Sequence, residues 1–257
     1  MKKRETQILE LLSKHGKLDV ASLAEYIGVS QVTIRKDLDA MERRGILRRE
    51  HGYAIFGGSD DINNRLAFHY EEKRLIAREA AKLVSPGETV MIENGSCCAL
   101  LAEEIARTKP GAKIITNSAF IAGYIRKISG AHVLLLGGDF QNDAQVMVGP
   151  ILKVCVAQFY VDKLFVGTDG YSAALGFTND DHMRVQAVRD MAEHVNNVVI
   201  VTESVKFSQQ SVVPLELGGR IRTVVTDTLI PPDIENKLTA SGVSVYKAAL
   251  PETEKEE

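Results

Sequence analysis

The chain has 257 residues, of which 45% are hydrophobic and 25% charged, and its formal net charge is −3. This length exceeds one average domain of roughly 150 residues, and the ordinary composition argues against a disordered or fibrous chain, so we expect two unequal globular domains. No apolar run approaches the roughly 18 residues of a membrane helix, and the start of the sequence has no signal-peptide core. We therefore expect a cytoplasmic protein without a membrane partner.

Cysteine and histidine positions argue against a metal site. Two of the three cysteines are adjacent, and none of the six histidines has another three or four residues away. This pattern provides neither a disulfide framework nor a helical metal-binding pair, so we expect no metal and no cofactor.

Charge is distributed unevenly along the chain. Residues 1–57 contain 11 Lys or Arg and 8 Asp or Glu, whereas residues 58–257 contain 20 and 26. The net charge of −3 is therefore the sum of a slightly basic segment, at +3, and an acidic one, at −6. A small basic excess is weak evidence for nucleic-acid binding, so the positions of the basic residues matter more.

The first 57 residues predict three helices and a hairpin. Apolar residues recur at helical spacing between Glu5 and Lys14 and predict the first helix. Asp19 is a candidate N-cap of the second helix, which the glycine at Gly28 ends. The third helix is predicted from Gln31 to Arg43, and residues 46–55 predict two short strands around a turn.

The third helix is predicted to bury one face and expose a basic one. Ile34, Leu38 and Met41 form the buried stripe, and a turn of 100° per residue directs the basic side chains outward. A helix-turn-helix unit followed by a hairpin presents its third helix to the DNA major groove. The expected DNA contacts are Ser30, Gln31, Thr33, Arg35, Lys36, Arg48, Arg49 and His51. The alternative is a small helical domain with a solvated basic face.

The rest of the chain predicts an α/β fold. Residues 57–68 are glycine-rich, polar and aperiodic, which is typical of a linker. After them, helical patterns alternate with short apolar runs, which predicts a doubly wound, mostly parallel sheet covered by helices on both faces. We therefore expect a winged helix-turn-helix domain over 1–57, a linker over 58–70, an α/β domain over 71–250 and an acidic tail over 251–257.

The first domain resembles a known family. The run VSQVTIRKDL at residues 29–38 is followed by MERRG at 41–45 and by RREHGYA at 48–54. These motifs closely resemble the DNA-binding signature of DeoR-family bacterial transcription regulators, V-S-x-x-T-I-R-R-D-L, then L-E-x-x-G, then R-x-H-G-G-A. The sequence departs from the signature at Lys36, Met41 and Tyr53. Lys36 keeps the charge but lacks the bidentate fork of arginine, so we expect it to contact phosphate.

The resemblance continues through nearly the whole chain. The matching motifs are Met91–Cys97, Ile115–Ser118, Leu136–Gly138, Phe165–Gly170 and Glu203–Phe207. The resemblance implies a sensor domain similar to sugar-phosphate isomerases of the ribose-5-phosphate isomerase type, which in this family commonly senses phosphorylated sugars. Since each motif follows an apolar strand, all should lie at the C-terminal edge of the sheet, where doubly wound folds bind ligands.

These motifs supply an expected effector site. Its residues are Asn94, Gly95, Ser96, Cys97, Thr116, Asn117, Ser118, Gly137, Gly138, Asp169 and Lys206. The turn around Gly95 opens a helix, whose N–H groups and dipole favour a phosphate, and Lys206 supplies a compensating charge. Hydroxyl, carboxamide and carboxylate side chains in the other motifs suit phosphate or sugar oxygens.

Departures from the family pattern leave alternatives open. Cys97 replaces a threonine, and a thiol is a poor hydrogen-bond donor, which weakens the case for phosphate there. Arg184 stands where the family often has a glutamate, which argues against isomerase chemistry unless Asp180 or Asp181 supplies the carboxylate base. The adjacent thiols of Cys97 and Cys98 also admit a redox-sensing role.

The sequence thus predicts a DNA-binding regulator and not an enzyme. We expect a repressor of a carbohydrate-metabolism operon, with operator DNA and a phosphorylated sugar or related metabolite as partners. Because one small domain reads few base pairs, we also expect a homo-oligomer, dimer or tetramer. The alternatives are a sugar-phosphate isomerase-like enzyme carrying a DNA-binding module, and an α/β domain that serves only assembly.

Overall fold

The structure is a computed structural model that describes residues 3–42, 47–50, 52–55 and 61–249. These residues fall into two compact units, which divide between Tyr70 and Glu71. Each unit is described by itself.

The N-terminal unit is a winged helix-turn-helix. Its elements are α1 (Lys3–His15), β1 (Lys17–Asp19), α2 (Val20–Ile27), α3 (Gln31–Glu42), β2 (Arg48–Glu50), β3 (Tyr53–Ile55) and α4 (Ile62–Ala67). Strand β3 pairs antiparallel with both β1 and β2. The three predicted helices and the hairpin are present, and β1 adds a third strand that the periodicity did not predict. The predicted end of the third helix, at residues 43–45, lies outside the described residues.

Helix α2 has the predicted caps at both ends. The carboxylate of Asp19 accepts a hydrogen bond from the Ser22 N–H at 2.9 Å and caps α2. At the other end Gly28 has a φ of 73° and donates its N–H to the Ala24 carbonyl at 3.0 Å. Glycine takes this left-handed conformation without steric cost, so the chain turns sharply there into α3.

The core of this unit joins all its helices to the wing. Its buried side chains are Ile8, Leu9, Leu12, Val20, Leu23, Ala24, Ile34, Leu38, Met41, Leu47, Ala54 and Ala67. The predicted stripe of α3, residues 34, 38 and 41, therefore faces the core.

Part of the segment expected to be a linker forms helix α4 instead. Asp61 caps this helix by accepting from the Asn63 N–H at 2.8 Å, and Ile62, Leu66 and Ala67 are buried. Only the four-residue spacing of Ile62 and Leu66 is helical, and one such pair in a glycine-rich, polar segment is too little to predict a helix. The linker prediction is therefore wrong for residues 62–67, while residues 56–60 lie outside the described residues.

The C-terminal unit is an α/β domain. Its helices are α5 (Tyr70–Ala81), α6 (Ser96–Thr108), α7 (Ala119–Ile125), α8 (Pro150–Val156), α9 (His182–Ala192) and α10 (Pro232–Ala240), with short 3-10 helices at Ser204–Ser208 and Gly218–Arg220. Its strands are β4 (Thr89–Ile92), β5 (Lys113–Thr116), β6 (His132–Leu135), β7 (Asp139–Gln141), β8 (Val146–Val148), β9 (Val161–Val166), β10 (Gly170–Ser172), β11 (Gly176–Asn179), β12 (Val195–Val201), β13 (Val213–Pro214), β14 (Ile221–Asp227) and β15 (Ser244–Ala248).

Seven strands form one parallel sheet in the order β6-β5-β4-β9-β12-β14-β15. The chain runs outward from β4 to β6, and then returns to β9 and runs outward on the other side. Right-handed crossovers in opposite directions place helices on opposite faces of the sheet. The predicted doubly wound fold is confirmed, and β4 and β9 flank the point where the winding reverses.

Two small antiparallel assemblies and α8 were not predicted. Strands β7 and β8 form a hairpin, and β10, β11 and β13 form a separate three-stranded sheet. Strands of two to four residues are too short to show a periodic pattern. These strands follow the C-terminal ends of the parallel strands in the chain, so they contribute to the walls above the C-terminal edge of the parallel sheet.

Candidate functional site

The exposed face of α3 is polar and charged apart from one valine. Gln31, Arg35 and Lys36 are exposed, and Thr33 is half-buried. The Gln31 Oε1 atom accepts a hydrogen bond from Arg35 Nη2 at 3.2 Å. Val32 lies on the same face with 58% of its surface exposed. The helix therefore presents hydrogen-bonding groups, one apolar side chain and the positive charges of Arg35 and Lys36 in its first half, and two exposed carboxylates, of Asp39 and Glu42, nearer its end.

Ser30 caps the start of α3. Its Oγ accepts a hydrogen bond from the Thr33 N–H at 3.2 Å and lies 2.9 Å from the Thr33 hydroxyl. Its carbonyl accepts from the Ile34 N–H at 3.1 Å. Ser30 and Thr33, both expected at the DNA interface, thus also hold the helix N-terminus in place, and that terminus carries a partial positive charge.

The wing is tied to α3 by Arg49. The Arg49 guanidinium forms an ion pair with Asp39 of α3, and the backbone N–H of Arg49 donates to the Glu42 carboxylate at 3.2 Å. The expected contact Arg49 is therefore engaged within the protein and orients the wing. The Arg48 side chain and His51 lie outside the described residues.

Asp37 lies inside the signature motif but faces inward. It is buried and forms an ion pair with Arg4 of α1, whose Nη2 donates to Asp37 Oδ1 at 3.1 Å. This hydrogen bond raises the pKa of Arg4. Asp37 therefore fixes α3 against α1 and is not available to DNA.

The expected effector residues lie at the C-terminal ends of five adjacent strands, or in the loops and helix starts that follow them. These strands are β6, β5, β4, β9 and β12. Parallel strands are about 4.8 Å apart, so the five strand ends extend over roughly 19 Å along one edge. The fold brings the five motifs together at the C-terminal edge of the sheet, as their position after strands implied.

Two loops meet tightly where the winding reverses. Glu93 is buried, and its Oε2 atom accepts N–H bonds from Gly95 at 2.9 Å and from Gly167 at 3.1 Å. A Cβ atom on Gly95 would lie 3.2 Å from the Gly167 Cα. Glycine at both positions allows the loops after β4 and β9 to close on one carboxylate, which is thereby held in place.

Helix α6 begins at this junction with an uncapped N-terminus. Gly95 is its N-cap and offers no side chain to the first N–H groups. Beside it Asn94 is only 1% exposed, and neither polar atom of its carboxamide has a hydrogen-bond partner in the part of the chain that the structure describes. Ser96, Cys97 and Cys98 are buried in the first turn of the helix. Burial keeps both thiols from solvent oxidants, which argues against a redox sensor.

The loop after β5 uses its hydroxyl groups locally. Thr116 Oγ1 accepts from the Ser118 N–H at 3.0 Å, and Ser118 Oγ accepts from the Ile121 N–H at 3.1 Å as the N-cap of α7. Asn117 donates from Nδ2 to the Met147 carbonyl at 3.1 Å. Its buried Oδ1 atom has no hydrogen-bond partner among the described residues. Asn117 is therefore better placed than the two hydroxyls to bind a ligand.

Gly138, after β6, is required by close packing. A Cβ there would lie 2.6 Å from the Val148 carbonyl oxygen of β8. At Gly137 a Cβ would lie 3.6 Å from Cys155 Sγ. The 3.6 Å separation is an ordinary contact, so only Gly138 is required by packing, and it allows the β7–β8 hairpin to approach the loop after β6.

The loops after β9 and β12 contribute charged groups. Asp169 accepts from the Asp180 N–H at 3.3 Å and donates its own N–H to Asn179 Oδ1 at 3.1 Å. Lys206 lies half-buried in a 3-10 helix, and its ammonium donates to the neutral carboxamide of Gln209 at 3.2 Å. Its positive charge is not cancelled by that carboxamide.

Comparison with known proteins identifies the chain. Residues 4–59 match the family model of the DeoR-like helix-turn-helix domain, and residues 68–228 match that of the DeoR C terminal sensor domain. The chain belongs to the DeoR family. Its two domain types mean that this DeoR-family protein binds DNA and senses a small molecule.

Individual relatives are regulators. The HTH-type transcriptional regulator GlpR of Haloferax volcanii is 28% identical over 94% of this chain and 96% of its own length. The glycerol-3-phosphate regulon repressor of Escherichia coli strain K12 is 26% identical over 92% of this chain and 94% of its own. Among solved structures, ribose 5-phosphate isomerase A from Methanocaldococcus jannaschii has a TM-score of 0.40 and 18% identity over 54% of this chain and 55% of its own. The DeoR-family protein is a transcriptional regulator, and its function is regulatory and not enzymatic.

The carboxylates that the sequence offered as a catalytic base have structural roles in this DeoR-family sensor domain. Asp181 caps α9, accepting from the Arg184 N–H at 2.8 Å, and also accepts from Gln141 Nε2 at 3.2 Å. Burial acts to raise the pKa of Asp181, but these hydrogen bonds and the charge of Arg184 outweigh it, so the pKa is lowered. Asp180 accepts a hydrogen bond from the Ser211 hydroxyl.

One buried ion pair near this edge was missed from the sequence. Lys73 of α5 lies 3.4 Å from the carboxylate of Glu203, which follows β12, and both side chains are less than a tenth exposed. A lysine in an amphipathic helix is usually solvated, so no local signal marked Lys73. In this DeoR-family regulator the pair joins the first helix of the sensor domain to the loop that carries Lys206.

The described ranges offer neither a metal-binding cluster nor a membrane-spanning helix. No group of three or more His, Cys, Asp or Glu side chains is arranged to hold a metal ion there. None of the helices described is both long and apolar enough to cross a bilayer.

Proposed function

We propose that this DeoR-family regulator represses a carbohydrate-metabolism operon, and that a sugar phosphate or related metabolite bound at the C-terminal edge of the sheet controls its binding to operator DNA. The name of one relative supports this class, since that protein represses a regulon of a phosphorylated polyol, glycerol 3-phosphate.

The buried carboxamide of Asn94 carries the proposal. Leaving a buried polar group without a partner costs about 1–3 kcal/mol, and such groups are concentrated at functional sites. Asn94 lies next to the uncapped N-terminus of α6, where N–H groups and the helix dipole favour an anion. A ligand with hydroxyl and phosphate oxygens would satisfy both features at once.

The neighbouring loops complete the proposed effector site. The α6 N-terminus, with Ser96 and the ammonium of Lys206, would bind the phosphate, and Asn94, Asn117 and Asp169 would bind sugar hydroxyls. The other proposed members, which shape the walls, are Gly95, Cys97, Thr116, Ser118, Gly137 and Gly138.

On the DNA side, α3 is proposed to lie in the major groove. Gln31 and Arg35 would read base edges, and Ser30, Thr33 and Lys36 would contact the backbone. The wing residues Arg48, Arg49 and His51 would add phosphate or minor-groove contacts. Since one such domain covers few base pairs, two or more copies would bind symmetric half-sites, and the effector would shift their relative placement.

The experiment for the DNA side selects bound duplexes from a randomised pool with the full-length protein. Arg35→Ala is expected to weaken binding to the selected duplex by at least fivefold. Arg107→Ala removes an exposed arginine of α6 and is the matched control, expected to bind like the wild type. Selection of no sequence above background, or an unchanged affinity of Arg35→Ala, overturns the proposed DNA contacts.

The effector side is tested by a thermal-shift screen over phosphorylated sugars. A stabilising compound should lose its effect with Lys206→Ala and keep it with Lys237→Ala, a surface lysine of α10. A screen without any stabilising compound would favour a sensor domain that serves only assembly. Turnover of an aldose phosphate that disappears with Asp181→Ala would instead support an isomerase.

A further inference from the structure

Val32 places an apolar side chain on the outward face of α3, in the first turn of the helix. It is 58% exposed, whereas Ile34, two residues later, is fully buried. At 100° per residue the two side chains point about 160° apart, so Val32 points almost directly away from the core.

Polar side chains flank Val32 on both sides. Gln31 and Arg35 are hydrogen-bonded to each other at 3.2 Å on one flank. Ser30 and Thr33 lie on the other flank, with their hydroxyls 2.9 Å apart. The exposed Lys36 is one turn further along the same row as Val32. The apolar side chain is thus flanked by polar and basic side chains in the first half of α3, and the exposed Asp39 lies two turns further along the same row.

A single exposed valine on an ordinary surface needs no explanation, but this one lies where α3 is proposed to meet base edges. The first residues of a recognition helix approach those edges most closely. In the major groove only thymine offers an apolar group, its C5 methyl, whereas the other bases present hydrogen-bond donors and acceptors. Valine opposite such a donor or acceptor would remove it from water without a partner, at a cost in binding.

We propose that Val32 determines operator specificity by packing against the C5 methyl group of a thymine in each half-site. This inference rests on the proposed placement of α3 in the major groove. It adds an apolar contact to an interface that the sequence pattern describes only through polar and charged residues.

The test uses the full-length protein and the duplex selected from a randomised pool. Each thymine of the half-site is replaced in turn by uracil, which removes only the methyl group. At one position per half-site, wild-type affinity is expected to fall about fourfold, the value for one methyl-sized group withdrawn from an apolar contact. Val32→Ala is expected to bind the thymine duplex at least fourfold more weakly and to show no difference between thymine and uracil there.

Two further variants separate this contact from other effects. Lys36→Ala should weaken binding to every duplex while keeping the methyl dependence, because a phosphate contact carries no base information. Val32→Thr keeps one methyl group and should retain part of the dependence. The helical circular dichroism of each variant verifies folding.

The outcomes are distinguishable. Wild-type affinity that is equal for thymine and uracil at every position, or a Val32→Ala variant with the wild-type methyl dependence, overturns the role of Val32 and leaves the proposed function standing. Failure to select any sequence overturns both.

Discussion

Replacing Asn94 with leucine is expected to stabilise the free protein and to abolish effector binding. Both polar atoms of the Asn94 carboxamide are buried without a hydrogen-bond partner among the described residues. A native fold keeps such an arrangement when function requires it, at the expense of stability.

The magnitude follows from two opposing contributions. Removing a buried, unsatisfied polar group recovers roughly 1–3 kcal/mol of the free energy of unfolding. Fitting a branched leucine into the space of a planar carboxamide costs on the order of 1 kcal/mol. The expected net gain is about 1 kcal/mol, or about 2–4 °C in the unfolding midpoint of a domain of this size.

The assay is scanning calorimetry of the full-length protein with and without the compound found by the thermal-shift screen. Asn117→Leu is the matched control, because Asn117 already donates to the Met147 carbonyl at 3.1 Å and would lose that bond. We expect Asn117→Leu to be neutral or destabilising by about 1 kcal/mol. An Asn94→Leu midpoint more than 2 °C below the wild type would mean that the carboxamide is stabilising, and the reasoning would be refuted.

Three further predictions concern packing and charge. Gly95→Ala places a Cβ 3.2 Å from a backbone Cα of the loop after β9 and should lower the free energy of unfolding in urea by about 2 kcal/mol. Gly219→Ala is the control, because a Cβ there has nothing within 4 Å, and it should change the free energy of unfolding little. Equal effects of the two variants would contradict the close-packing argument. Glu203→Ala removes the carboxylate 3.4 Å from the buried ammonium of Lys73 and should cost about 3 kcal/mol. The double variant Lys73→Met, Glu203→Leu should cost less than Glu203→Ala alone, and a larger cost for the double variant would contradict this reasoning. The pKa of Asp181 is lowered in the folded state, so its charge stabilises the fold above the unfolded pKa of about 3.9, and this contribution is lost as the pH falls through the folded value. The difference in unfolding free energy between wild type and Asp181→Asn should thus be constant above about pH 5 and become smaller below about pH 4. A difference that grows on acidification would contradict the lowered pKa of Asp181.

Local patterns were sufficient for much of the fold. The helical spacing of apolar residues predicted α1, α2 and α3, and Asp19 and Gly28 marked the two ends of α2. Alternation of apolar runs with helical patterns predicted the parallel sheet. These features depend on residues within a few positions of each other, which is why the sequence reveals them.

The same local reasoning failed where the deciding contact is distant in the chain. Helix α4 is stabilised by burying Ala67 in the core of the N-terminal unit, which no local pattern indicates. Thr116 and Ser118 match a ligand-binding motif, yet the structure shows them holding a loop and capping α7. A hydroxyl can serve a ligand or a backbone N–H equally well, and only the surrounding backbone decides which.

The sequence by itself determined the family, the two domain types and the set of motifs at the sheet edge. The tertiary structure decided which members of that set are engaged. Glu93 is held by an N–H group 74 residues away, and Lys73 is buried against Glu203. The carboxamide of Asn94 is left without a hydrogen-bond partner among the described residues. Hydrogen-bond satisfaction of a buried group depends on every element packed around it, so it is a property of the assembled fold and not of any segment.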